Sequence, residues 1–256
     1  MTAKKKPKDL TKLHYESVPE PIYYMHEYQL DVQNNHIYLF PTNALAGSDT
    51  YGDAEPGIEY TMANKFVMNT QLCMLSNPEL PLLVHMKSCG GFWGEGMAIF
   101  DSMISYPMPT TIVNYSHARS MSSIILQSAA KRVMMPNSHF MFHDGTYGDW
   151  GTVKQVRSGL DFYDKTGEIM MDIYAHRMKE RGKFKSWSIS RIKDMMREHM
   201  DKKEDVFITA QEAIDWGLAD EIFDGDWSKL TSYTDEQLVA WKTFTAKFLG
   251  QDVLKI

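Results

Sequence analysis

The sequence predicts an α/β protein with a largely parallel sheet. Short apolar or β-branched runs of strand length alternate along the chain with segments whose apolar residues recur at helical spacing. Such alternation is satisfied by parallel strands joined through right-handed helical crossovers. At 256 residues, with 43% hydrophobic and 23% charged content, the chain has enough apolar material for one generous core and its appendages.

Residues 1–34 are polar and carry Pro7, Pro19 and Pro21, which reads as an N-terminal arm, with Tyr23-Tyr24-Met25 as an apolar exception. Residues 36–40 form the first core strand, stopped by Pro41. The stretch 43–57 holds Gly47, Gly52, Pro56 and Gly57 and reads as a mobile loop. Residues 60–75 place Met62, Phe66, Met68, Leu72 and Leu75 at helical spacing before Asn77-Pro78. A strand at 80–86, a helix at 93–103, a strand at 110–115, a helix at 121–131 and a strand at 140–143 follow. A glycine-punctuated segment, Asp144 through Gly151, leads into a helix over 153–181, longer than a compact core needs and suited to assembly. A charged helix spans 188–200. Thr209-Ala210-Gln211-Glu212 has capping-box spacing and opens a helix ending near Gly217, before a last strand at 218–223. A second capping box, Thr234-Asp235-Glu236-Gln237, opens a terminal helix with Leu238, Trp241, Phe244, Phe248 and Leu249 on one face. That face must cover this chain's core or a partner's.

Composition excludes several classes. A net charge of −6 argues against a nucleic-acid binder. The cluster Lys4-Lys5-Lys6-Pro7-Lys8 reads as a solvated tail without the apolar core of a secretory signal. No apolar run approaches the length of a membrane span. Cys73 and Cys89 offer no disulfide framework and fit a reducing cytoplasm. Neither zinc-ligand spacing nor a phosphate-binding loop occurs, so catalysis here would rest on side chains.

The candidate chemistry centres on Ser120, between a β-branched run and the helix beginning at Met121. A hydroxyl at a strand-to-helix turn is either a plain cap or a presented nucleophile. Four features favour the nucleophile. Ser88-Cys89-Gly90-Gly91 follows an apolar strand, and two glycines let bare N–H groups approach a ligand as an oxyanion hole does. His143 closes a strand and suits a general base. Asp205 adjoins the apolar run Val206-Phe207-Ile208 and suits the orienting acid, although spacing favours it over neither Asp201 nor Glu204. The N–H of Met121, next to Ser120, suits a second oxyanion donor.

These blocks, in this order, resemble the proteolytic subunit of the Clp protease (ClpP) family, a peptidase S14-like branch of the crotonase-like superfamily. The likeness runs from about residue 36 to 223. It is carried by Ser88-Cys89-Gly90-Gly91 with Gly96-Met97-Ala98, Ala118-Arg119-Ser120-Met121, Met135-Pro136-Asn137-Ser138 with Met141-Phe142-His143, and the run from Asp205 to Ala213 with Gly217-Leu218-Ala219-Asp220. The resemblance implies a repeated β-β-α superhelix with a protruding helical handle at about 144–182. The peptidase domain it implies covers 35–223, which leaves the arm over 1–34 and a C-terminal helical extension over 224–256 outside the likeness. Ser120, His143 and Asp205 fall on the family's triad, and Gly91 and Met121 on its oxyanion donors. Gly145 and Gly148 fall in the handle segment that pairs with substrate backbone.

The implied activity is serine endopeptidase cleavage of unfolded proteins and peptides in the cytoplasm, without cofactor or metal. The implied partners are further copies, as stacked heptameric rings, and an AAA+ ATPase unfoldase, with neither nucleic acid nor membrane. The sequence departs from the family at Cys89 (usually proline), Ser122 (usually glycine) and Arg119 (usually small), so a catalytically inactive ring or scaffold component is the alternative. A crotonase-type acyl-CoA enzyme is a further one, but it gives the three triad residues no reason to occur together.

Overall fold

The computed structural model describes residues 20–41 and 55–250. The lysine cluster, Pro7, Pro19, most of the 43–57 loop and residues 251–256 lie outside them. Strands β2 (His36–Leu39), β3 (Leu82–Ser88), β4 (Thr110–Arg119), β5 (Lys131–Met134) and β8 (Glu221–Ile222) run parallel, side by side, with β1 (Leu30–Asp31) antiparallel on β2. The expected α/β class with a mostly parallel sheet is the one observed.

The strand that positions the site is β4. Its first half pairs with β5 (Thr111↔Lys131 to Asn114↔Met134). Its second half diverges to pair with β6 (His139–Phe142), in register His117↔His139 to Arg119↔Met141. β7 (Val206–Thr209) lies antiparallel on β6, with Phe142 opposite Val206. Alternation along β4 and β6 sends Ala118, Phe140 and Phe142 into the core and leaves Arg119 and His139 on the other face.

The main core lies between the sheet and the helices α2 (Tyr60–Ser76), α3 (Trp93–Ile104), α4 (Met121–Leu126), α5 (Val153–Glu180) and α6 (Ile189–Lys203). Phe66, Phe100, Met103, Ile125, Tyr174, Met178, Ile192 and Met196 are buried there. α5 opens on the capping box Thr152/Gln155. Only its second half is buried, through Met170, Met171, Ile173 and Tyr174, while Val153 and Phe162 in its first half stand exposed. The helix therefore projects from the body, as its length suggests.

Three sequence expectations need correction. The arm ends before residue 34: residues 20–28 form α1 (Glu20–Tyr28), Leu30 is buried, and Val32 O accepts from Asn77 Nδ2 (2.6 Å). The helix expected over 121–131 stops at Leu126, and residues 131–134 are strand β5. Lys131 and Arg132 are both buried there, because Asp220 pairs with Arg132 and a carbonyl of the C-terminal extension accepts from Lys131. The third concerns β4, which continues beyond Tyr115 to Arg119.

The C-terminal extension covers this chain's own core. A 3₁₀ turn, Trp227–Thr231, lays Leu230 against Leu83, Val113 and Val133 on the outer sheet face. The hydroxyl of Thr111 donates to Leu230 O (2.6 Å). The terminal helix (Asp235–Phe248) then packs Phe244 against Phe100 and under the fully buried Arg177, whose guanidinium sits 3.6 Å from the ring centroid. Burial pulls that guanidinium's pKa down to about 10, while Glu180 pulls the other way.

Candidate active site

Strand registers account for the site. Because Arg119 pairs with Met141 and Phe142 with Val206, the residues just beyond these pairs, Ser120, His143 and Asp205, emerge together at one end of β4, β6 and β7. Ser120 N donates to Met141 O (3.0 Å), which locks the first of them in place. His143 Nε2 lies 2.8 Å from Ser120 Oγ, and His143 Nδ1 lies 2.9 Å from Asp205 Oδ1. The carboxylate accepts a hydrogen bond from Nδ1–H, so Nε2 is left free to accept from the serine hydroxyl. Among the three acids that spacing left open, Asp205 is the one that meets the imidazole.

Ser120 has φ 49° and ψ −127°, a backbone region that a residue with a Cβ rarely adopts. Its side chain makes no capping bond to α4, so the plain-cap reading fails. The turn out of β4 is sharp and lifts Oγ toward His143.

Beside Ser120 runs the glycine turn. Gly90 has φ 98°, and a Cβ there would lie 2.6 Å from Ser120 Cβ and 2.7 Å from Arg119 O. Gly91 has φ 154°, and a Cβ would lie 2.2 Å from Ile58 O. Only glycine permits both approaches. Ile58 N donates to Gly90 O (2.6 Å) and Phe92 N to Ile58 O (3.0 Å), so residue 58 acts as a short parallel strand bracketing the turn. In that bridge Gly90 O and Phe92 N, not Gly91 N, pair with Ile58. Met121 N is the first amide of α4 and has no acceptor within its own helix. Gly91 and Met121 line the same cleft as Ser120.

A cleft of about 1190 Å³ opens over this end of the sheet. Ser120, Met121, Gly91 and His143 line it, with an apolar floor that includes Phe92, Ile124, Met141, Phe162 and Met170. Asp144, beside His143, also lines it, and burial together with the Asp201 charge raises its carboxyl pKa. Of the two handle glycines, Gly145 lines the cleft at φ 85°, whereas Gly148 has open space around it. Residues 143–152 form no strand in the single chain.

The three departures have definite surroundings. Cys89 is half-buried, with its thiol directed at Glu55 O (3.6 Å), and burial raises its pKa. Arg119 turns away from the cleft: its Nε donates to His139 Nε2 (2.8 Å), and its guanidinium lies 5.6 Å from the Phe207 ring centroid. The neutral acceptor this requires agrees with the lowered pKa of His139, caused by burial and then by Arg119 itself. Ser122, which reads in the sequence as a modest packing change, is fully buried and hydrogen-bonds to both β3 and β4. Sequence reasoning missed its reach and that of Ser123, whose hydroxyl donates to Ser120 O (2.6 Å) and meets the Tyr174 hydroxyl (2.6 Å). Serines in an otherwise apolar helix were the available signal. Among the described residues, no three His, Cys, Asp or Glu side chains converge as a metal site would require. No described helix is long and apolar enough to cross a membrane.

Comparison with known proteins identifies the family. The chain is 29% identical over 169 residues to an ATP-dependent Clp protease proteolytic subunit of Deinococcus radiodurans, covering 65% of this chain and 76% of that protein. The family model for Clp protease matches residues 54–226, which take in the glycine turn, Ser120, His143 and Asp205. On that match, the chain belongs to the Clp protease family.

Proposed function

We propose that the chain is a serine endopeptidase acting on unfolded polypeptide, with Ser120 as nucleophile. The observation that carries the reading is the unbroken hydrogen-bonded series Asp205–His143–Ser120, ending on a serine in a strained turn. Ser120 Oγ attacks the scissile carbonyl carbon as its proton passes to His143 Nε2. Asp205 holds the Nδ1–H tautomer and stabilises the imidazolium. The N–H groups of Gly91 and Met121 donate to the developing oxyanion. His143 returns the proton to the leaving amine, which departs with the C-terminal part of the substrate. Water, deprotonated by the same imidazole, then hydrolyses the acyl-enzyme and regenerates Ser120. Every step is a proton or acyl transfer among these residues, substrate and water. The apolar floor of the cleft suits a large apolar side chain on the acyl side of the cut.

The Deinococcus radiodurans relative is named as ATP-dependent, and by analogy an ATPase would deliver unfolded chain to this subunit. Self-assembly is supported by the exposed aromatic and apolar residues on the projecting segment: Trp150 is 92% exposed, Val153 67% and Phe162 62%. Backbone in 144–150, which has no strand partner in the single chain, is available to an extended peptide by strand addition, with Gly145 at the cleft and Gly148 at its open end. A fluorophosphonate probe tests the nucleophile: mass spectrometry is expected to place one adduct on Ser120 and none in Ser120→Ala. Labelling elsewhere, or none in assembled protein, would overturn the assignment in favour of a scaffold.

A further inference from the structure

The turn that carries Gly91 cannot hold itself. Ser88-Cys89-Gly90-Gly91 contains two glycines and no proline, so its own covalent structure leaves most backbone angles free. The β3–β4 ladder slips register between Met86 and Ser88, which loosens it further just before the turn. Ile58 brackets its far side, and a second tie must fix it relative to Ser120.

Ser122 occupies that position. Its hydroxyl accepts from Arg119 N (2.9 Å) and lies 2.6 Å from Ser88 O and 2.7 Å from Arg119 O, donating its single proton to one of these at a time. It thereby ties the last residue of β3 to the last residue of β4. Ser88 passes the constraint on, since its Oγ accepts from Gly90 N (3.2 Å). All of this is dry: Ser88 and Ser122 are both fully buried. A hydroxyl group thus joins the two segments whose amides, Gly91 and Met121, must stand at a fixed separation to share one oxygen atom.

We propose that Ser122 is a positioning residue for the oxyanion hole, acting through Ser88 and Gly90 and touching no substrate. The inference rests on the reading of Ser120 as nucleophile. A displacement of a few tenths of an ångström between the two donors weakens the transition state more than the bound substrate, so loss of the hydroxyl is expressed in kcat.

The test compares Ser122→Ala with Ser128→Ala, which removes another fully buried serine hydroxyl (donating to Ile125 O, 2.7 Å) away from the site. Turnover of a fluorogenic peptide is measured per active site titrated with a fluorophosphonate, together with inhibition by a peptide aldehyde and hydrogen exchange of residues 86–92. Ser122→Ala is expected to lower kcat roughly 10- to 100-fold, with KM within about threefold and aldehyde affinity falling in step with kcat. Exchange in 86–92 is expected to rise about tenfold while α6 is unchanged. Ser128→Ala is expected to do neither. Unchanged exchange in 86–92, or matching kinetics for the two variants, would overturn the inference. Absence of Ser120-dependent turnover in the parent protein would overturn the peptidase reading and the catalytic half of this one, leaving the exchange comparison to decide whether Ser122 holds the turn.

Discussion

Ser120, at φ 49°, sits where the local chain would not choose to be, and its neighbours explain why it stays. Ser120 N is held by Met141 O, its carbonyl by Ser123, and its Oγ by His143. Asp205 is about half exposed, so its hold on the imidazole is geometric as much as electrostatic. Replacing it by asparagine is expected to lower kcat by roughly 10²- to 10⁴-fold, through the wrong tautomer, while changing stability by less than about 1 kcal/mol; peptide hydrolysis and urea titration check both. The glycines separate by environment. Gly91→Ala places a methyl against the Ile58 backbone at positive φ and is expected to cost about 2–4 kcal/mol along with peptidase activity. Gly148→Ala meets nothing within 4 Å and is expected to be stability-neutral within about 0.5 kcal/mol. Thermal unfolding of the pair distinguishes a built turn from a merely glycine-rich segment.

At the scale of elements, β4 was half legible. Its β-branched first half announced a strand, but Ser116 and His117 looked like its end, because a face turned away from the main core accepts polar side chains. His117 is buried there against Glu55 (2.6 Å). Strand β5 was illegible for a sharper reason. Lys131 and Arg132 are charged yet interior, and what admits them lies some 90 residues on: Asp220 takes Arg132 in a two-pronged pair (2.7 and 3.1 Å), with Arg181 at 3.2 Å. Those charges hold the Asp220 carboxyl below the usual range although burial opposes them. Asp220→Asn would leave Arg132 buried without its counter-charge and is expected to destabilise by about 3–5 kcal/mol in chemical unfolding. The capping boxes at Thr209 and Thr234, by contrast, were read correctly from four residues each, because every interaction that defines them is local. The candidate site lay between these cases: Ser120 and His143 were marked by their turns, while Asp205 needed the β6–β7 register to distinguish it from Asp201 and Glu204.

At the scale of the molecule, two surfaces remain to be assigned a behaviour. The outer sheet face carries His85, stacked on Tyr38 (4.6 Å), hydrogen-bonded to the Tyr115 hydroxyl (2.9 Å) and 3.3 Å from His36 Nδ1. Burial, and then the proximity of His36, lowers the His85 pKa to about 4. A histidine whose folded pKa lies below its unfolded 6.5 contributes stability that is intact above about pH 6.5 and lost as pH falls toward 4. Unfolding free energy is expected to drop by about 3 kcal/mol across that window, with a shallower pH slope in His85→Phe. The other surface is the projecting apolar segment. Sedimentation is expected to show a large homo-oligomer that Trp150→Asp weakens, whereas a stable monomer of the parent would remove the case for assembly. The central claim, that Ser120 makes this chain a peptidase, is tested most directly by hydrolysis of an unstructured protein by assembled parent and assembled Ser120→Ala. The account predicts cleavage by the parent and none by the variant. Equal cleavage by both, or none by an assembled parent that also refuses the fluorophosphonate, would contradict it.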